Sequence, residues 1–414
     1  MAETIRADAQ VIVVGGGPAG SSAAFFLARA GIDVVVLDRA HFPRDKTCSE
    51  YMSPEASRIL VEMGALEAVE SAGAARLAGM RVHAPNGATI HGEFASDHGF
   101  RGHSDRGLAV RRTILDAILI DRARAAGARV EEGCRVTDLV RAEDGRITGV
   151  MTASGGGSPV ARRASLVIGA DGLRSVVGRR LDLIRASRWP RRIALVTHYS
   201  GVEGIGRFGE MFVDRGGYCG LADVGGGLTN VAVVIPVSRA AEVAVDRTEF
   251  LERWIAERPT IAAMFARARR VGSVRATGPF ATSAKKAWAR GAALVGDAAE
   301  FFDPFTGEGI YTALRGGEML AGFAADAVAG ASAADRSLRA YEAARHAEFA
   351  GKWKVERLVG AAIAFPALIN RAATVLSRRR DMADLLVGVV GDFVPAREVL
   401  RPRYLLNLLY SPSL

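Results

Sequence analysis

Arg44, Asp45, Lys46, Cys48, Glu50 and Tyr51 fall within eight consecutive positions of the stretch "RDKTCSEYMSP". Cations, carboxylates, a thiol and a phenol gathered so closely suit a loop that faces chemistry. Arg44 and Lys46 suit phosphates or an electron-rich ring, and Cys48 offers a polarisable group of adjustable acidity. A purely structural loop is the alternative. Ser53-Pro54 closes the stretch and reads as a helix start, with Ser as the cap and Pro in the first helical position.

A second set of residues lies at Gly15-x-Gly17-x-x-Gly20, between the apolar run "QVIVV" and the helical pattern "SSAAFFLARAG". Gly15 permits a tight turn, Gly17 lets a pyrophosphate approach the backbone, and Gly20 lets helix and strand pack closely. The helix N-terminus then offers free N–H groups to the phosphates. Asp38 ends the next apolar run, "DVVVLD", where it is placed to accept hydrogen bonds from a ribose, and Arg39 beside it is counted with the cofactor-binding residues. Strand, turn, helix, strand and terminal acid agree, but NAD and FAD both fit. Two more acids end buried runs: Asp171 in "GADGLRS" and Asp297 in "ALVGDAAEFFDPFTGEGIYTALRGG". Ligands of open α/β folds bind at such carboxyl edges. After Pro304 the chain passes Gly307 and Gly309 into a helix whose N–H groups suit negative charge on a ring.

The elements that must hold these residues follow from pattern. Helices are expected over 54–63 and 112–126, each closed by a glycine, and a hairpin over 79–84 and 88–92 around Asn86-Gly87. A further hairpin around Gly155–Gly157 runs into a buried strand at 165–169; its triple glycine reads as a loop tip. From 182 to 275 strand-like runs dominate, with helices near 247–257 and 259–269, before buried-strand character returns at 292–297. The expected fold is α/β: a Rossmann-like nucleotide-binding domain over 1–181 and 276–330, an inserted β-rich substrate domain over 182–275, and a helical C-terminal region over 331–414.

Composition limits the alternatives. The 414 residues are 49% hydrophobic and 24% charged, an ordinary globular balance, with a net charge of +9. The excess suits a solvated surface, a phosphorylated cofactor or an anionic membrane; Arg378-Arg379-Arg380 beside amphipathic helices makes peripheral membrane contact an expectation. No nucleic-acid motif is present. The three cysteines, Cys48, Cys134 and Cys219, form no CxxC, so neither a metal site nor a disulfide framework is suggested. The N-terminus lacks a signal peptide's layout. The nearest approach to a spanning segment, "LVGAAIAFPALI", is short and contains Pro366. The expected location is cytoplasmic.

Taken together, the three motifs over roughly residues 8–330 resemble FAD-dependent oxidoreductases of the aromatic-hydroxylase superfamily, which includes geranylgeranyl reductases and flavin-dependent halogenases. The resemblance implies that Gly15, Gly17, Gly20 and Asp38 bind the ADP part of FAD, that Asp297 holds the ribityl chain, and that Pro304, Gly307 and Gly309 lie by the flavin ring. Asp171-Gly172 would bridge FAD and a transient nicotinamide. Arg112, in "VRRTILDAIL", matches an arginine of the family and becomes a FAD contact. "FPRDKTCSEYMSPEA" resembles the Pro-Arg-x-Lys-x-Cys loop of geranylgeranyl reductase-like members, which lies over the flavin, with Ser49 where Gly is usual. The halogenase Trp-x-Trp-x-Ile-Pro motif is absent. Of the prenyl-reductase Tyr-x-Trp-x-Phe-Pro signature Tyr218 remains, followed by Cys219-Gly220-Leu221.

The resulting expectation is an enzyme with non-covalent FAD, passing reducing equivalents from NAD(P)H to a hydrophobic small molecule. Double-bond reduction is the first choice, monooxygenation the alternative, and a non-enzymatic flavin electron carrier a third reading. Cys48 and Tyr218 are the candidate catalytic residues. His198, Tyr199 and Glu210 read as sheet surface or satisfied core, and Glu300 as a pocket acid or a helix-start carboxylate.

Overall fold

A computed structural model describes residues 7–95, 98–153, 158–187, 189, 191–215 and 217–410. The Gly155–Gly157 loop tip lies outside the described residues. Ala9–Val14 is the centre of a sheet ordered Trp288–Ala289, Ala292–Leu294, Val160–Gly169, Ala9–Val14, Val34–Leu37, Arg129–Glu131. All neighbours are parallel except the first pair. Val11 sits between Leu166 and Val34 and is covered on both faces, which is why these strands read as unbroken apolar runs. Val160–Gly169 is longer than the sequence suggests. Its first half pairs antiparallel with Ile147–Ala153, and its second half enters the parallel sheet beside Ala9–Val14.

A second, seven-stranded sheet runs Arg269–Thr277, Arg192–Ser200, Leu228–Pro236, Gly217–Asp223, Phe208–Asp214, Gly79–His83, Thr89–Glu93. Alternation divides its side chains. Leu195, Phe212, Cys219, Leu221 and Val233 pack on Phe250 and Trp254 of the helix Arg247–Ala256. Ala194, Val196, Met211, Tyr218, Ala232 and Val234 face the other way. Three expectations need correction here. The Gly79–Glu93 hairpin, grouped by sequence with the nucleotide-binding part, joins this second sheet through parallel pairing of Gly79–His83 with Phe208–Asp214. The helix at 259–269 stops at Met264, because Arg269–Thr277 is drawn into pairing with Arg192–Ser200. Ser53 does not cap a helix. Tyr51–Met52 pairs with Gly107–Ala109, Ser53 is buried with its hydroxyl unpartnered, and the helix begins at Ala56.

The C-terminal helices Ala331–Ala364, Pro366–Leu376, Arg380–Val390, Arg397–Leu400 and Pro402–Tyr410 cover the Gly79–Glu93 hairpin, sharing a core that includes Ile90, Val355, Leu376, Met382 and Val399. The first two meet at an angle of 111° at Phe365, whose extended backbone precedes Pro366. Among the described residues no single helix is long and apolar enough to cross a membrane; this bent pair passes the same test only jointly.

Candidate functional site

The first turn after Ala9–Val14 is closed by Gly15 at φ +101° and leads into the helix Pro18–Arg29. A Cβ on Gly20 would lie 1.8 Å from the carbonyl oxygen of Gly15, so only glycine lets the helix approach. Asp38 is buried at the end of the next strand. Its carboxylate accepts the N–H of Gly16 at 2.8 Å and of Ala40 at 2.9 Å, which ties the glycine turn to the second strand. Arg112 is buried and makes a two-pronged pair with Asp116, at 2.7 Å on each side; Arg44 meets the same carboxylate at 3.0 Å. A Cβ on Gly17 would lie 3.3 Å from Nη2 of Arg44 and 3.8 Å from Nη2 of Arg112. The bare Cα of Gly17 therefore faces two guanidiniums that share one buried counter-charge, beside a helix N-terminus. That donor set fits a pyrophosphate. An adjoining cleft of about 510 Å³ is lined by Asp38, exposed Arg39, Arg44, Asp171 and Arg174. Asp171 accepts from the N–H of Val176 at 2.6 Å, leaving its other oxygen buried and unpartnered, and burial raises its pKa.

Next to this cradle a pocket of about 140 Å³ gathers all the motifs: Gly17, the stretch Lys46–Ser49, Arg112, Gly172, Asp297, and Pro304, Gly307 and Gly309. Its far wall is the seven-stranded sheet, through Ala194, Val196, Met211, Tyr218, Gly220, Ala232 and Val234. Lys46 crosses to Asp297 at 3.6 Å. The thiol of Cys48 accepts the N–H of Glu50 at 3.3 Å, and Cys48 is only partly buried. Tyr218 donates its hydroxyl to Asp303 at 2.6 Å, and Arg192 holds the other oxygen of Asp303 at 2.5 Å. Burial, reinforced by Asp303, holds the Tyr218 phenol far above the usual tyrosine range, so it stays neutral.

The FAD binding domain family matches residues 8–355. This chain belongs to that family of flavin-dependent oxidoreductases. Digeranylgeranylglycerophospholipid reductase 2 of Methanopyrus kandleri is 30% identical, covering 93% of each chain. Menaquinone reductase of Mycolicibacterium smegmatis is 29% identical over 93% of this chain and 92% of its own. A solved flavoprotein/dehydrogenase from Cytophaga hutchinsonii superposes with a TM-score of 0.80 at 22% identity, covering 96% of this chain and 95% of its own. The geranylgeranyl reductase-like resemblance and the FAD cofactor both stand on these matches and on the Gly17 cradle.

Four further polar residues of this flavoprotein, Glu300, Glu210, Tyr199 and His198, are engaged within the fold. Glu300, expected as a pocket acid or a helix-start carboxylate, lies in the short strand Glu300–Phe301. It pairs with Arg345 at 3.4 Å and Arg357 at 3.3 Å. Glu210 is a satisfied core acid held by Arg81 and His83. Tyr199 packs edge-on against Phe265. His198 is buried too, but its partner is Glu50 at 2.7 Å, a contact across 148 positions that no local pattern signals.

Behind the Pro304–Gly309 turn a small cavity is lined by Glu300, Asp303, Thr306, Glu308 and Glu356. Burial pushes the Glu308 carboxyl up to about 7, against the pull of the Lys352 ammonium, and one of its oxygens has no partner. An acid whose folded pKa is raised destabilises the fold once its proton must leave. Stability should therefore fall as pH rises from the ordinary 4.5 through about 7. Glu308→Gln removes that loss. Relative to wild type it should gain up to about 3 kcal/mol at pH 8 and little at pH 4. Urea unfolding at the two pH values checks this; an equal difference at both would dismiss it.

Proposed function

We propose that the enzyme passes reducing equivalents from NAD(P)H through FAD to a hydrophobic small molecule, reducing a carbon–carbon double bond. FAD, when bound, supplies the two-electron transfer. The chain's part is to bind, orient and protonate, and the observation that carries the reading is the lining of the pocket. Arg44 and Arg112 beside Gly17 anchor phosphate, Lys46 and Asp297 pair within the lining, and the wall opposite is apolar. Of the proton donors in that lining, Tyr218 is engaged with Asp303 and Lys46 with Asp297, which leaves Cys48 the best placed. Met211 lines both this pocket and an apolar cavity of about 170 Å³ walled by Met80, Phe305, Val359, Ile369 and Leu405. That shared wall suits a long apolar substituent lying across Met211. Gly220, which stands where the prenyl-reductase signature has aromatic bulk, is covered by Met211: a Cβ there would lie 3.1 Å from the Met211 sulfur.

Monooxygenation is the second reading, because the same dry wall would also exclude water from an oxygenation. Anaerobic reduction by NADPH or NADH, followed by a geranylgeranyl lipid or menaquinone and only then by oxygen, separates the two. Reoxidation by the organic acceptor before oxygen is admitted, with a saturated product, is expected. Reoxidation by oxygen alone, with a hydroxylated product, would sink the first reading. Membrane contact gains no support from the arginine run: Arg379 pairs with Asp381, and Arg380 with Glu93 and Asp384.

A further inference from the structure

Glu50 is 1% exposed and is one of the few non-glycine residues with positive φ, at +63°. A glycine would adopt this backbone without strain, so a side chain here needs a reason. Every polar group of Glu50 is engaged. Its carboxylate accepts the N–H of Arg112 at 2.9 Å through one oxygen, and Nδ2 of Asn230 at 3.0 Å through the other, which also meets Nε2 of His198 at 2.7 Å. Its N–H points to the Cys48 thiol, and its carbonyl accepts from Val110. Asn230 also donates to the Cys48 carbonyl at 2.9 Å. His198 and Asn230 are opposite each other on adjacent strands of the seven-stranded sheet, so they form one fixed donor pair. The carboxylate thus joins three elements at one point: the Cys48 loop, the helix that carries Arg112, and the substrate-side sheet.

We propose that Glu50 is a positioning residue that sets the Cys48 thiol against the flavin pocket by locking its loop to His198 and Asn230. The strained backbone persists because the buried carboxylate is held from both sides. The proposal rests on the reading that this loop faces the flavin. Its test needs neither substrate nor turnover, so its failure is distinguishable from a wrong reaction class.

The test is the rate at which iodoacetamide alkylates Cys48 in the FAD-loaded protein, with buried Cys134 and Cys219 as internal references. Glu50→Gly relaxes the backbone and removes the lock. It should accelerate alkylation of Cys48 at least about tenfold, the change expected on losing a charge-assisted hydrogen bond, while Cys134 and Cys219 keep their wild-type rates. Glu50→Gln, which retains an acceptor oxygen, should restore most of the protection. An unchanged Cys48 rate in folded Glu50→Gly would overturn the proposal; equal acceleration of all three cysteines marks a general loss of fold and sends the test to the second variant. If Glu50→Gly does not fold, His198→Ala is read in its place: selective acceleration at Cys48 supports the lock, and a wild-type rate refutes it.

Discussion

Gly17→Val is expected to yield folded, colourless protein. The bare Cα of Gly17 faces Nη2 of Arg44 and Nη2 of Arg112, and the helix Pro18–Arg29 starts at the next residue. A valine would extend two methyl groups into the gap that the pyrophosphate must enter. Neither guanidinium can move far aside, because both are fastened to Asp116. A cofactor held in this cradle would lose its backbone approach at Gly17 and the charge-assisted hydrogen bonds from the guanidiniums, each contributing about 1.5–3 kcal/mol. FAD affinity should fall on the order of 10³-fold or more. Flavin absorbance of the purified protein, FAD released on denaturation and circular dichroism check this together. A yellow variant with wild-type FAD content would show that the phosphates lie elsewhere.

Cys48→Ala should slow substrate-dependent reoxidation of the enzyme by about 10²–10⁴-fold, the usual contribution of a positioned general acid. Reduction by NADPH should stay nearly intact, since that half-reaction needs no proton donor to the substrate. Serine is a far weaker acid than cysteine, so Cys48→Ser should recover little of a proton-transfer defect. If Cys48 only packs, both variants should behave alike, with small changes in both half-reactions. Stopped-flow traces of the two half-reactions distinguish the cases. Two near-wild-type variants would remove Cys48 from the chemistry and return attention to Tyr218, whose neutral hydroxyl lies in the same pocket on Asp303.

The cofactor half of the site was legible because its physics is short-range. The run from Val11 through Gly20 states its own structure: a strand covered on both faces, a turn that needs positive φ at Gly15, and a helix packed so closely that Gly20 admits no Cβ. Asp38, Asp171 and Asp297 were found as acids at the ends of apolar runs, a purely local signal. Even here the tertiary structure altered a role. Asp38, read as a partner for a ribose, also closes the glycine turn through Gly16.

The substrate side was decided by contacts between distant parts of the chain. Tyr218 meets Asp303 across 85 positions, and Arg192 reaches the same acid across 111. Glu50 was visible in the opening stretch as a charged residue in a crowded loop. Its burial, its strained backbone and its partners 148 and 180 positions away were not. The misread elements share this cause. Ser53 has a cap's chemistry, but pairing of Tyr51–Met52 with Gly107–Ala109 draws the chain into a strand and buries it. The pattern at 265–269 continues a helix only until Arg192–Ser200 competes for it. The sequence by itself determined the nucleotide-binding turn, which depends on neighbours a few positions apart, and the cofactor class, through the resemblance of three separate motifs over residues 8–330. Only the tertiary structure decided which strands wall the pocket, which acids lose water and which side chains hold Cys48, because burial and strand pairing are properties of the assembled chain.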